Sequence, residues 1–333
     1  MQAITTELSK KISRLSLVAS ILVVILHCYS KEYAAENTGS FGWWLQETLS
    51  HGIAYIAVPF FFIVFGFFLF NSRKSYGEKI VGRVKSLLLP YVLWSLIALG
   101  LTFFVTRFAR VQIYTFEWTS IKWWLEILGV TCEPKFAFHL WFVKSIFIAT
   151  ILSPLLSWLL TEFKIFVPIV AMLIFLFVRS LPYSFTCALV FVSLGAYFSL
   201  YPTKGPIRLS LWQNLVVGLL WLAMLFASWS FPCLSNLAKI TGLVFFWFIY
   251  DNLLPYFKFN LPNISVSSFF IYCAHFPLLP YVKLPLSKLP FIADHFMIIY
   301  ILTPIILISM LIFMEYILTR IAPKVCATLK GGR

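Results

Sequence analysis

Ten stretches of this chain are long and apolar enough to cross a lipid bilayer, and that limits its fold more than any other feature. They lie near residues 12–29, 51–70, 86–106, 138–160, 163–179, 183–201, 209–230, 238–255, 265–281 and 295–317. A spanning helix needs roughly 17–25 residues, with flanks that neighbours can share. Backbone groups in hydrocarbon must bond one another, and segments of this length do so as helices. Polar and proline-rich punctuation separates them: YPTKGP at 201–206, LPYFKFNLPN at 254–263 and KLPLSKLP at 283–290. Pro59, Pro154, Pro277 and Pro304 fall inside predicted spans, where neighbouring helices can satisfy the freed carbonyls. The segment at 163–179 is among the shortest. The pattern predicts an all-α polytopic membrane protein, about ten transmembrane helices in one bundle.

Composition points the same way. Of 333 residues, 61% are hydrophobic and 11% charged, with a mean hydropathy of +0.92. A soluble protein of this length has too much surface facing water to hide that much apolar area. The net charge of +14 suits nucleic acid in total but not in distribution, because basic residues sit in short segments between apolar runs. With the N-terminus inside, sixteen Lys and Arg fall on the cytoplasmic side and nine outside, Lys144 lying within a span. Both termini are then cytoplasmic. No CxxC pair occurs among the six cysteines, and most lie in or beside apolar runs as small buried side chains. The N-terminal MQAITTELSKKISR lacks a clear cleavage site after its apolar run, so a retained first helix is expected.

Few groups in so apolar a chain can do chemistry. His27 closes the first predicted span in ILVVILHCYS, on the order of 20 Å from the inner surface at 1.5 Å per residue. Ionisable groups at such depth face the bundle interior or a watery cavity. A neutral imidazole is the least costly of them and suits proton transfer. The plainer reading is a helix-end histidine bonded to a carbonyl. His275 sits about ten residues into the ninth span, and His139 opens the fourth, with Lys144 more than a turn deeper. These three and His27 can converge on the outer half of a bundle. Equally, His139 is interfacial and Lys144 snorkels or pairs with a carboxylate. His51 and His295 stand at outer span ends and carry no comparable signal. The outer segment 107–137 contains FEWTSIKWWLEILG, either a helix lying on the interface or a cap over a site.

On the inner side, KIVGRVKSLLLPY sets Lys79, Arg83 and Lys85 just before the third span. They either obey the positive-inside rule or hold the phosphates of a cytosolic ligand. GxxxxGK[ST], GxGxxG, HExxH and GxSxG are all missing, so an ATP-driven pump, a dinucleotide enzyme and a zinc protease have no support. No repeat of 20–50 residues appears, nor the two-halved pattern of many transporters.

Seven stretches in order resemble the membrane acyltransferase 3 family of sugar and cell-envelope O-acetyltransferases. They are SLVASILVVILHCYS, VPFFFIVFGFFLF, KIVGRVKSLLLPYVLW, HLWFVKSIFIATILSPLL, FVSLGAYF, SVSSFFIYCAHFPLL and LTRIAPKVCATLKGGR, and together they cover essentially the whole chain. The resemblance implies transfer of an acyl group, usually acetyl, from cytosolic acyl-CoA to a hydroxyl of an extracytoplasmic or lipid-linked glycan. It makes His27 the catalytic histidine and gives the acyl donor Arg83 and Lys85; Arg14 of the first span is a further candidate cation for the donor phosphates. It maps the family's tryptophan–phenylalanine motif onto Trp141 and Phe142, and its ninth-span histidine onto His275. His139 and Lys144 become supporting groups.

The sequence departs from the family at Ser13 and Ser16, where many members carry Asp and Arg, and at Lys144–Ser145, often Arg–Asp. The carboxylate partner of His27 is therefore missing from its usual place. One integral-membrane domain over residues 1–333 is expected, without a soluble accessory domain, in a bacterial inner membrane. No metal and no bound cofactor is expected; the resemblance implies acyl-CoA, usually acetyl-CoA, as a co-substrate. The expected partners are membrane lipid and a glycan or lipid-linked saccharide, with no nucleic acid. The rival reading is a transporter or flippase of polysaccharide or glycolipid, its polar residues lining a path.

Overall fold

A computed structural model describes residues 5–108, 115–203, 205, 207–253, 267–292 and 295–332. The punctuation at 254–263, and Arg110, Lys204, Lys258 and Arg333 of the charge pattern, lie outside these residues. The chain opens on α1 (Thr6–His27), followed by two short helices, α2 (Lys31–Glu36) and α3 (Phe41–Gln46). A π-helical turn (Glu47–Ile53) and a 3-10 turn (Ala54–Ile56) lead into α4 (Ala57–Asn71). Next come α5 (Tyr76–Arg83), a second π-helical turn (Val84–Leu88), α6 (Leu89–Phe108) and the short α7 (Ile121–Ile127). A 3-10 turn (Phe138–Leu140) enters α8 (Trp141–Ile151), which precedes α9 (Ser153–Phe163), α10 (Phe166–Phe177) and α11 (Tyr183–Leu200). The last helices are α12 (Leu211–Ser230), α13 (Ser235–Leu253), α14 (Ser268–Ser287), α15 (Phe296–Ile321) and α16 (Pro323–Leu329). No strand occurs among the described residues.

A helix stands at each of the ten expected places. Among the described residues, seven helices are long and apolar enough to cross a membrane, or eight if the bent pair α8–α9 makes one span. α1 is not among the seven because Lys10, Lys11 and Arg14 leave its first half polar. α10 has 12 residues, about 18 Å of helix, against a hydrocarbon layer of about 30 Å. The segment expected as one straight span at 138–160 bends by 65° between α8 and α9. Pro154 explains the break: it stands in the first turn of α9, where no helical N–H bond is required.

The helices fall into two compact units, Met1–Tyr76 with Ala149–Val266, and Gly77–Ile148 with Ser267–Arg333. In the first, α4 and α11 touch backbone to backbone. A methyl group on Gly66 would lie 2.3 Å from the Val192 carbonyl oxygen, and one on Gly195 2.1 Å from that of Ile63. Such proximity is open only to glycine and is a common way for membrane helices to pack. α1 is tied to α13 by an ion pair of Lys11 with Asp251, 2.7 Å, and by a 3.1 Å hydrogen bond from Arg14 to the Tyr250 hydroxyl. The Lys11 ammonium also lies 4.0 Å from the Trp247 ring centroid, which offsets its burial.

In the second unit, the first eight residues of α14, Ser268 to His275, are all buried. The C-terminal segment folds back against α6, where the Trp94 indole N–H donates to the Leu329 carbonyl at 3.2 Å. Lys330 then meets Glu315 of α15 in a buried ion pair of 2.6 Å. All six cysteines are free, Cys132 and Cys233 exposed and the other four buried.

Candidate active site

α1 ends where the Cys28 N–H bonds back to the carbonyls of Val24 and Ile25, leaving His27 as its last residue and half-buried. The chain then turns extended at Ser30, and the segment that returns beside it is clamped across the helix end. Gln46 accepts from the Ser30 N–H at 3.2 Å and donates to the Ser30 carbonyl at 3.3 Å. Ser50 donates to the Ile25 carbonyl at 2.9 Å. These bonds fix the π-helical turn Glu47–Ile53 against the residues on either side of His27. Single π-helical turns of this kind recur at functional sites.

That turn carries a carboxylate and an imidazole one above the other. Glu47 Oε2 accepts from His51 Nδ1 at 2.8 Å, and its other oxygen accepts from the Tyr29 hydroxyl. The Tyr29 and His51 rings lie 4.1 Å apart, and Tyr55 stacks on His51 at 5.5 Å. With Nδ1–H given to Glu47, the neutral His51 ring carries its lone pair on Nε2. Beyond Tyr55, the Lys239 ammonium lies 5.0 Å from the Tyr55 ring and 4.7 Å from that of Tyr183.

The second unit holds the other two candidate histidines. His139 Nε2 donates to the Cys273 carbonyl at 3.1 Å, and His275 Nδ1 to the carbonyls of Tyr272 and Ile271 at 2.7 and 3.1 Å. Their rings lie 5.0 Å apart, both buried, and the Tyr272 hydroxyl donates to the His139 carbonyl. Trp141 and Phe142 open the helix beside them, Phe142 against Tyr272 at 5.6 Å. Lys144 turns to the loop after α7 instead, donating to the Gly129 carbonyl at 2.5 Å and the Cys132 carbonyl at 3.1 Å. The Tyr91 hydroxyl holds the same loop through the Leu128 carbonyl at 2.8 Å. The aromatic segment at 116–124 is thus fastened to this unit, with Trp123 buried and Ile121 exposed. Arg83 ends α5 half-buried, and Lys85 stands exposed in the π-helical turn that follows.

Comparison with known proteins decides what kind of chain this is. A family model described as an acyltransferase domain matches residues 15–317. The chain belongs to this acyltransferase family. It is an enzyme of that kind and a multi-pass membrane protein. Among curated relatives, succinoglycan biosynthesis protein ExoH of Rhizobium meliloti (strain 1021) is 25% identical over 352 residues, covering 96% of this chain and 92% of its own. No solved structure matches. The resemblance read from the seven stretches is therefore borne out at the level of the family.

Of the residues singled out in the sequence of this acyltransferase, His139 and His275 come together, while Lys144 is engaged with loop carbonyls. His27 and Arg14 belong to the first unit, and Arg83, Lys85, His139, Lys144 and His275 to the second. Among the described residues, no group of three or more His, Cys, Asp and Glu has the geometry to hold a metal ion. Sequence reasoning passed over Glu47 and His51. The signal was their spacing, ETLSH, which puts acid and imidazole four residues apart.

Proposed function

We propose that this acyltransferase moves an acetyl group from cytosolic acetyl-CoA to a hydroxyl of a polysaccharide or lipid-linked saccharide of the bacterial envelope. One observation carries the reading: a half-buried histidine closes the first helix of a chain that the acyltransferase family matches over residues 15–317. ExoH is named for succinoglycan biosynthesis, and a glycan acceptor follows from that name. The proposal includes ten crossings of the inner membrane with both termini in the cytoplasm. Arg14 and His27 are then about 20 Å apart along α1, a distance that an extended pantetheine arm bridges.

Arg83 and Lys85 hold the donor phosphates as charge-assisted hydrogen-bond donors, with Arg14 as a further cation. The thioester reaches His27, which acts as general base for the acceptor hydroxyl or carries the acetyl group transiently on its ring. In either route a new ester C–O bond forms and the C–S bond breaks. The sulfur leaves with the electron pair and takes the proton given up by the hydroxyl. His139 and His275 are supporting groups in this scheme.

The test is transfer of label from acetyl-CoA to polysaccharide in membranes carrying the wild type or His27→Ala. A loss of about 100-fold or more is expected, the range of a positioned acid–base group. Equal labelling at equal protein levels would remove His27 from the mechanism.

A further inference from the structure

His51 is an imidazole of the first unit in hydrogen-bond contact with a carboxylate, and the proposed chemistry has so far left it unused. Glu47 holds its Nδ1 at 2.8 Å, Tyr29 holds the other oxygen of Glu47, and Tyr55 stacks on the ring. A base oriented by an acid that is itself anchored is the arrangement by which enzymes fix one tautomer and stabilise the imidazolium that forms. The His51 side chain is 33% exposed whereas Glu47 is 14% exposed, so the ring is within reach of a ligand while its carboxylate is sheltered.

The surroundings suit a sugar. Trp44 lies on the helix leading into the π-helical turn, is 42% exposed, and packs on Trp229 with ring centroids 4.5 Å apart. A partly exposed indole supplies apolar area at small entropic cost, and sugar rings pack on indoles through their C–H groups. The bonds of Ser50 to Ile25 and Gln46 to Ser30 hold the segment that carries Trp44 and His51 to the end of the helix that His27 closes.

We infer that, in the route where His27 carries the acetyl group, His51, oriented by Glu47, is the acceptor-side base that takes the proton of the saccharide hydroxyl. This rests on the proposed acyl-CoA reaction. His51 Nε2 accepts the hydroxyl proton as the saccharide oxygen bonds to the acyl carbon. The bond from that carbon to its carrier, the His27 nitrogen, breaks with its electron pair on the carrier. The carrier then receives the proton, and His51 returns to the neutral form. Glu47 and Tyr29 are positioning residues.

The experiment measures label passing from acetyl-CoA to polysaccharide in membranes containing His51→Gln, His51→Ala, Glu47→Gln or Tyr29→Phe at matched protein levels. His51→Gln is expected to lower kcat about 100-fold, with KM for acetyl-CoA within about threefold of the wild type. Glu47→Gln should lose about tenfold and Tyr29→Phe less. Imidazole in the buffer should restore part of the His51→Ala activity, which a purely structural role for the ring would not allow. Activity of His51→Gln within threefold of the wild type, a change confined to KM, or no rescue of well-expressed His51→Ala would each overturn the inference. A wild type that labels no polysaccharide would overturn the acyl-CoA reading itself, and this inference with it.

Discussion

Glu133 follows the carbonyls of the loop that receives Lys144. Burial pushes its carboxyl up from the ordinary value of 4.5, and the Lys144 ammonium pulls less strongly the other way. A carboxyl raised in the folded state contributes most while protonated, below the unfolded value. That contribution is lost as pH rises through the folded value. The apparent unfolding temperature in detergent should therefore fall as pH climbs from the ordinary carboxylate range upward. Glu133→Gln should flatten that slope, and an unchanged slope would show that the carboxyl does not report on folding. Lys144 itself shows how far a single residue is legible in sequence. Its charge inside an apolar run pointed to snorkelling or a carboxylate partner, whereas its partners are the Gly129 and Cys132 carbonyls of a loop folding back from α7. His27 was singled out because an imidazole ending an apolar run is costly unless it has a use. Glu47 and His51 were not, because their contact with Tyr29 needs the chain to return across the end of α1.

Helix placement was legible from the apolar runs, since the need to satisfy backbone bonds in lipid leaves few other forms for them. Helix shape was not. Pro154 reads the same in sequence whether it interrupts a helix or begins one, and the 65° bend before α9 shows that it begins one. The tightest contact between elements is also silent in sequence, because glycine serves turns and crossings alike. At the crossing of α4 and α11 the distances are decisive. Gly195→Ala would set a methyl group 2.1 Å from the Ile63 carbonyl oxygen, and the helices must part to admit it. A loss of about 1–3 kcal/mol is expected, as for other overpacked sites. Gly100→Ala in α6 meets nothing within 4 Å and should be neutral or slightly stabilising. Melting curves of the two variants in the same detergent check this, and equal shifts would contradict the crossing.

For the whole molecule, the proposed orientation can be read through its own cysteines. Cys132 and Cys233 are exposed and belong to segments expected outside, whereas Cys28, Cys187, Cys273 and Cys326 are buried. A membrane-impermeant maleimide added to spheroplasts should label the first two and spare the other four. Labelling only after the membrane is opened would reverse the orientation. The division into two compact units was not legible, since no break in composition falls at residues 76, 148 or 266. It comes from which helices pack together, and contact across two hundred residues leaves no mark in a hydropathy pattern.

The pairing of Glu315 with Lys330 bears on how such a chain can change over generations. Their side chains are only 7% and 11% exposed, and removing one leaves the other as an uncompensated buried charge at about 3–5 kcal/mol. Replacing both by apolar residues of similar volume is often neutral. Descendants of this sequence should therefore keep the two charges together or lose them together, so that fifteen residues apart they are inherited as one character.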